Sequence, residues 1–134
     1  MGQYFDIAEL CASHTAKAQG VDNTPSPDAE ANMERLIDAL LDPVRRAWGK
    51  PIRVNSGYRS SELNRLVGGA AASQHTLGEA ADLTAGSPED NERLFELIRD
   101  GGFDFDQLID EKNYRWIHVS YRAGFNRKQV LRIS

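Results

Sequence analysis

Apolar residues recur at spacings of three and four through Met33, Leu36, Ile37, Leu40, Leu41 and Val44, which predicts one long amphipathic helix from Pro27 to about Trp48. Ser26 followed by Pro27 supplies its start, and Gly49 its stop. A second clear helix begins at Ser87, Pro88 and Asp90, buries Leu94, Phe95, Leu97 and Ile98, and ends at the Gly101-Gly102 pair. Its acidic first turn, with Glu89, Asp90 and Glu92, suits the helix dipole and needs no functional explanation. Asp6 with Glu9 three residues later marks a short capped helix near the N-terminus, and Ser60 to Val67 another, stopped by Gly68 and Gly69. Ser13 to Pro25 reads as a loop, and Gly68 to Gln74 as a small-residue, flexible stretch.

Elsewhere the period shortens to two. Pro51, Ile52, Val54 and Tyr58 suggest a strand that runs into a Ser56-Gly57 turn, and Ala80 to Leu83 a buried strand. Asp106 to Glu111, Trp116 to Tyr121 and Gln129 to Ile133 read as three strands joined by short turns, the pattern of an antiparallel meander. Helices first and hairpins last imply an α+β fold: a small antiparallel sheet with helices packed on one face, in a single domain over residues 1–134. There is no internal repeat.

Composition narrows the function classes. Hydrophobic residues make up 40%, charged residues 27% and aromatic residues 8%, which argues against disorder and low complexity. Sixteen Lys and Arg against twenty Asp and Glu leave a net charge of −4, so a phosphate backbone would be repelled and nucleic acid is not an expected partner. No apolar run is long enough to span a bilayer, and the first ten residues carry acids rather than the basic region of a leader. Synthesis in the cytoplasm without a signal peptide, and a monomeric state, are the expectations. The single Cys11 excludes an internal disulfide and, between Leu10 and Ala12, reads as a buried apolar residue.

Three residues have the chemistry to bind a transition metal: His75, Asp82 and His118. Two imidazoles and one carboxylate leave zinc an open position, as catalytic rather than structural sites do. Gly78 and two alanines lie between His75 and Asp82, so a tight turn can bring a loop histidine and a strand aspartate to one ion. Strand alternation places His118 with Trp116 and Ser120, opposite Ile117 and Val119. A histidine on the polar face of such a strand is a functional candidate. His14, beside a helix end, reads as a surface or capping residue, and Trp48 and Tyr121 as core and pocket-wall residues. A non-haem iron oxygenase also uses two histidines and a carboxylate, but the six residues between His75 and Asp82 and the helical first half weigh against it.

Val54-Asn55-Ser56-Gly57-Tyr58-Arg59-Ser60, Ser73-Gln74-His75-Thr76-Leu77-Gly78-Glu79-Ala80-Ala81-Asp82 and Trp116-Ile117-His118-Val119-Ser120 resemble, in order, the motifs of the zinc D-alanyl-D-alanine carboxypeptidase family. That family groups peptidoglycan carboxypeptidases, D,D-dipeptidases and phage endolysins that cut L-alanyl-D-glutamate bonds. The likeness runs from the Asp22 to Pro25 loop to Ser120 and is closest to the small, phage-like branch. It implies a zinc peptidase acting on peptidoglycan stem peptides, with His75, Asp82 and His118 holding Zn2+. Arg59 falls on an arginine that faces the substrate, and Ser73 on a position that contacts the substrate backbone or amine. Asn64 and the Gly68-Gly69 pair shape the intervening loop.

Hydrolysis by this route needs a general base. Many relatives carry an acid three residues before the last histidine, where this chain has Arg115. The preceding strand then supplies Glu111 or Asp110, and hairpin register decides between them: a four-residue loop, Lys112 to Arg115, pairs Glu111 with Trp116 on the face of His118, and an odd-numbered loop puts Asp110 there. The alternation Gln107, Ile109, Glu111 favours Glu111. Arg115 also leaves open a zinc-binding, catalytically silent module that recognises cell-wall peptide. Reaching the wall would need holin-dependent release, injection with a phage tail, or imported wall fragments as substrate.

Overall fold

The computed structural model describes residues 3–70 and 73–133. Ala71 and Ala72, within the stretch read as flexible, lie outside the described residues, as do Met1, Gly2 and Ser134.

Side-chain caps begin most of the helices where the sequence places them. Asp6 accepts the Glu9 amide at the head of α1 (Ile7–Cys11), and Ser26 accepts the Ala29 amide at the head of α3 (Pro27–Leu36). Ser60 caps α5 (Ser61–Leu66) and Ser87 caps α6 (Pro88–Asp100) in the same way. The long periodic stretch runs from α3 through one π-helical turn, Ile37–Leu41, into α4 (Asp42–Trp48). Asp42, with Pro43 behind it, is buried at that junction, where its carboxylate accepts the backbone amides of Gln3, Tyr4 and Phe5 and ties the N-terminal segment down. Within the expected loop, Ser13 caps a further helix, α2 (His14–Gln19), closed by Gly20 at φ +66°. Its only buried residue is Ala16, so it carries no apolar stripe that a periodicity reading would detect.

Five strands form one sheet: β1 (Arg53–Ser56), β2 (Ala80–Thr84), β3 (Gln107–Glu111), β4 (Trp116–Ser120) and β5 (Gln129–Ile133). Their order is β1-β2-β4-β3-β5. All neighbours are antiparallel except β3 and β5, which run parallel, so the expected meander of three hairpin-linked strands is corrected to a mixed sheet. The reason is that β4 is already flanked, by β2 on one side and β3 on the other. A strand reversing after β4 therefore cannot pair with β4 itself; it adds at the edge of β3, and reversal relative to β4 makes it parallel to β3.

One face of the sheet is the core. Ala81, Leu83, Leu108, Ile117 and Val119 pack there against Met33, Leu36, Ile37, Leu40 and Val44 of the long helix and Leu94, Phe95 and Ile98 of α6. Trp48 and Tyr121 pack partly buried against this core, and half-buried Cys11 sits 3.9 Å from the Met33 sulfur. The opposite face carries the alternate residues Asp82, Ile109, Glu111, Trp116 and His118, and it opens to solvent.

Candidate metal centre

Register builds the centre. Asp82 of β2 lies directly opposite His118 of β4, and His118 directly opposite Ile109 of β3. His75 arrives from a short 3-10 helix, Gln74–Leu77, whose closing residue Gly78 has φ +76° and approaches the Ala29 carbonyl too closely for a side chain. The ligand-capable atoms of His75, Asp82 and His118 all lie within 4.8 Å of one another.

Each side chain is oriented before any ligand arrives. His75 is buried; its amide donates to Ser73 Oγ at 3.1 Å and its carbonyl accepts from Arg59 N at 3.0 Å. Its Nδ1 donates to the Gly57 carbonyl at 2.7 Å, so in the neutral ring the lone pair is on Nε2, which faces Asp82 Oδ2 at 3.4 Å. His118 Nδ1 lies 3.0 Å from Asp82 Oδ1, and the two imidazoles meet edge-on at 5.1 Å. Burial raises the Asp82 pKa, but the His118 and His75 rings beside the carboxyl outweigh that and hold it well below the usual range. The carboxylate is thus ionised at neutral pH, as a metal ligand must be.

The donor set fits a zinc-sized ion. Ligand bonds of about 2.0–2.1 Å at tetrahedral angles put neighbouring donor atoms roughly 3.3 Å apart; His75 Nε2 lies 3.4 Å from Asp82 Oδ2 and His118 Nδ1 3.0 Å from Asp82 Oδ1, and one donor from each residue lies within 4.8 Å of the others. His14 takes no part: it is exposed at the first position of α2.

A cleft of about 730 Å³ surrounds the cluster. Arg59 lines it, half-buried, with a terminal nitrogen 3.4 Å from Ser73 Oγ and, among the described residues, no partner for its buried Nε. Desolvation lowers its pKa, and the nearby Asp82 and Glu111 charges oppose that shift. The Ser73 hydroxyl accepts from the His75 amide as well, so it shapes the loop while facing the cleft. Asn64 shapes the same region: its Nδ2 donates to the Ala70 carbonyl, and a side chain at Gly69 would collide with its Oδ1.

The β3–β4 connection spans the four residues 112–115, and Glu111 pairs with Trp116. Glu111 lines the cleft and accepts the Trp116 indole N–H on Oε2 at 3.3 Å. Asp110 points to the other face; it is buried, accepts the Tyr114 amide and pairs with Arg132 Nε at 3.0 Å. Arg115 is exposed and outside the cleft. Asn91, buried in α6, pins this loop by donating to the Tyr114 and Arg115 carbonyls while accepting from Ala85 N.

Several residues in and around the cleft were given no role by the sequence. Gln74 Nε2 donates to Asp106 Oδ2 at 3.1 Å and to Glu79 Oε1 at 3.3 Å. Asp106 is fully buried and forms a two-pronged ion pair with Arg127 at 2.8 and 2.9 Å. Asn23 holds the Arg59 turn from behind, donating to the Cys11 and Tyr58 carbonyls and accepting from Ser60 N. Only the strand alternation through Gln107, Ile109 and Glu111 hinted at any of this wall.

Comparison with known proteins bears on most of the chain and, more closely, on part of it. The sequence profile described as Peptidase M15 matches residues 3–120. Over 48 residues, 35% of this chain, the sequence is 56% identical to the zinc D-Ala-D-Ala carboxypeptidase of Streptomyces albus G. That stretch is 19% of the relative, so the chain matches less than a fifth of the length of that protein.

Proposed function

Since the chain belongs to the Peptidase M15 family, we propose that it hydrolyses peptide bonds in peptidoglycan stem peptides, of the D-Ala-D-Ala or L-Ala-D-Glu type, with zinc held by His75, Asp82 and His118. The observation that carries this reading is the convergence of those three side chains in one open cleft that also contains Glu111 and Arg59. Zinc bound there supplies a Lewis acid that polarises the scissile carbonyl and makes water nucleophilic near neutral pH.

The remaining work falls to the protein. Glu111 has one carboxylate oxygen held by the Trp116 indole, which leaves Oε1 to take a proton from the attacking water and pass it to the leaving amine. Arg59 presents a half-buried guanidinium to developing negative charge on the carbonyl oxygen, in surroundings where water screens it poorly. Ser73, against both Arg59 and His75, fixes the distance between that charge and the metal ligands.

Arg115 supports the second reading, a zinc-binding recognition module without turnover, because a cation stands where many relatives carry an acid. Elemental analysis of protein purified without chelator, paired with mass spectrometry of digested wall peptides, separates the two. Near-stoichiometric zinc with released D-Ala, or with a cut after L-Ala, supports the peptidase and names its bond. Zinc without cleavage supports the module, and absence of metal overturns both.

A further inference from the structure

The loop that follows β4 brings two arginines into the same cleft, Arg122 and Arg127. Their situations differ. Arg127 is committed to Asp106 through Nε and a terminal nitrogen, and its own amide also donates to that carboxylate at 3.1 Å. Among the described residues Arg122 has no ion pair; its guanidinium lies 6.0 Å from the Phe125 ring centre, a weak contact.

The loop beneath Arg122 is well anchored. Tyr121 N donates to the Glu79 carbonyl, Arg122 N to Asn126 Oδ1, and Lys128 N to the Phe105 carbonyl. Asp106, fully buried and bonded to both Arg127 and Gln74, ties this loop to the residue that precedes the ligand His75. An exposed guanidinium on so fixed a base loses little freedom when it meets an anion.

Position along the sheet gives the arginine a role. Glu111 and Trp116 lie at one end of the β3–β4 pair and Ile109 and His118 in the middle; at the other end Gln107 N donates to Ser120 Oγ, and Arg122 follows two residues beyond Ser120 in the loop. At 3.3–3.4 Å per strand residue, the ends of β3 are about 13 Å apart with the metal cluster roughly midway. A peptide cleaved at the cluster and lying along the strands would bring the residue about two positions from the scissile bond to the Gln107 and Ser120 end, where the long Arg122 side chain also lines the cleft.

We infer that Arg122 is a specificity-determining residue that binds a carboxylate of the substrate, a side-chain or terminal carboxylate about two residues from the bond cleaved, with the Asp106–Arg127 pair as the support that positions its loop. This rests on the reading of the cleft as a peptide site. The planar guanidinium offers two parallel donors that match a carboxylate and not a carboxamide. Of the two arginines at this end, Arg127 is neutralised by Asp106, and Arg122 is the one that keeps its charge available to an anion among the described residues.

The test uses a stem pentapeptide and a set of analogues in which one carboxylate at a time is converted to its amide. Binding is measured by titration calorimetry with zinc-loaded Glu111→Gln protein, so that bound peptide is not consumed, with and without Arg122→Gln. One amide should bind about 3- to 30-fold more weakly than the acid, and Arg122→Gln should collapse that ratio toward one; which amide does so separates the side-chain from the terminal source. The inference is overturned if no amide differs from the acid, if the ratio survives Arg122→Gln, or if the acid peptide does not bind. Turnover of the same pentapeptide by the unsubstituted chain is followed separately. Discrimination without turnover refutes the peptidase and leaves the Arg122 assignment standing, and turnover without discrimination does the reverse.

Discussion

His75 Nδ1 donates a 2.7 Å hydrogen bond to the Gly57 carbonyl, and that bond determines which ring nitrogen faces Asp82. Gly57 has no room for a side chain, because a Cβ there would strike the Leu10 carbonyl, which itself accepts from Tyr58 N at 2.8 Å. The N-terminal helix therefore presses on the turn that aims a metal ligand.

Gly57→Ala should displace the carbonyl and release the His75 ring. We expect a stability loss of about 1–3 kcal/mol from the steric conflict, together with a roughly 10- to 100-fold weaker zinc affinity from the lost orienting bond. Chelator competition on the folded variant reads the second effect. Unchanged zinc affinity would show that the Gly57 contact does not hold the ligand in place.

Glu111 and Asp110 are neighbours on one strand with opposite surroundings, and their substitutions should behave differently. Glu111→Gln should keep zinc and lower kcat by about 100- to 10,000-fold. Asp110→Asn, which weakens the bonds to the Tyr114 amide and Arg132, should cost about 1–3 kcal/mol of stability while the folded protein keeps kcat near that of the unsubstituted chain. Steady-state kinetics with thermal melts checks both, and wild-type turnover by Glu111→Gln would refute its assignment as base.

Much of this contrast was legible in advance. Period-two alternation favours Glu111 for the face of His118, and the register Glu111 opposite Trp116 is the one that a four-residue connection gives; caps and 3.6-residue periodicity likewise mark α3 and α6. The spacing of His75 and Asp82 and the alternation around His118 made these residues candidates, the family resemblance assigned them to a metal, and the fold brings their ligand-capable atoms within 4.8 Å of one another. The exposed α2 was invisible because burying only Ala16 leaves no periodic signal. The parallel placement of β5 was equally hidden, since it depends on which sheet edge is already occupied. Asp106, Arg127 and Gln74 could not be linked from sequence for a similar reason: their contacts span 21 and 32 residues and follow from that strand order.

The Asp106–Arg127 pair also predicts an acid sensitivity. The Arg127 hydrogen bonds hold the Asp106 carboxyl below its ordinary pKa, against the opposing effect of burial. A carboxyl with a lowered folded-state pKa adds stability above its unfolded value, near pH 3.9, and that contribution disappears as pH falls through the folded value. Arg127→Gln should therefore reduce stability at neutral pH and show a shallower further loss on acidification. Urea melts of the metal-free proteins between neutral pH and pH 3 measure this, and parallel curves for the two proteins would contradict it.

The most direct test of the metal-centred account is a zinc titration of metal-free protein, read as the rate of stem-peptide cleavage against equivalents of zinc added. The account predicts a rate that rises in proportion to zinc and saturates at one equivalent, with no rise for His118→Ala over the same range. A rate indifferent to zinc, or a His118→Ala variant that responds as the unsubstituted chain does, would contradict it.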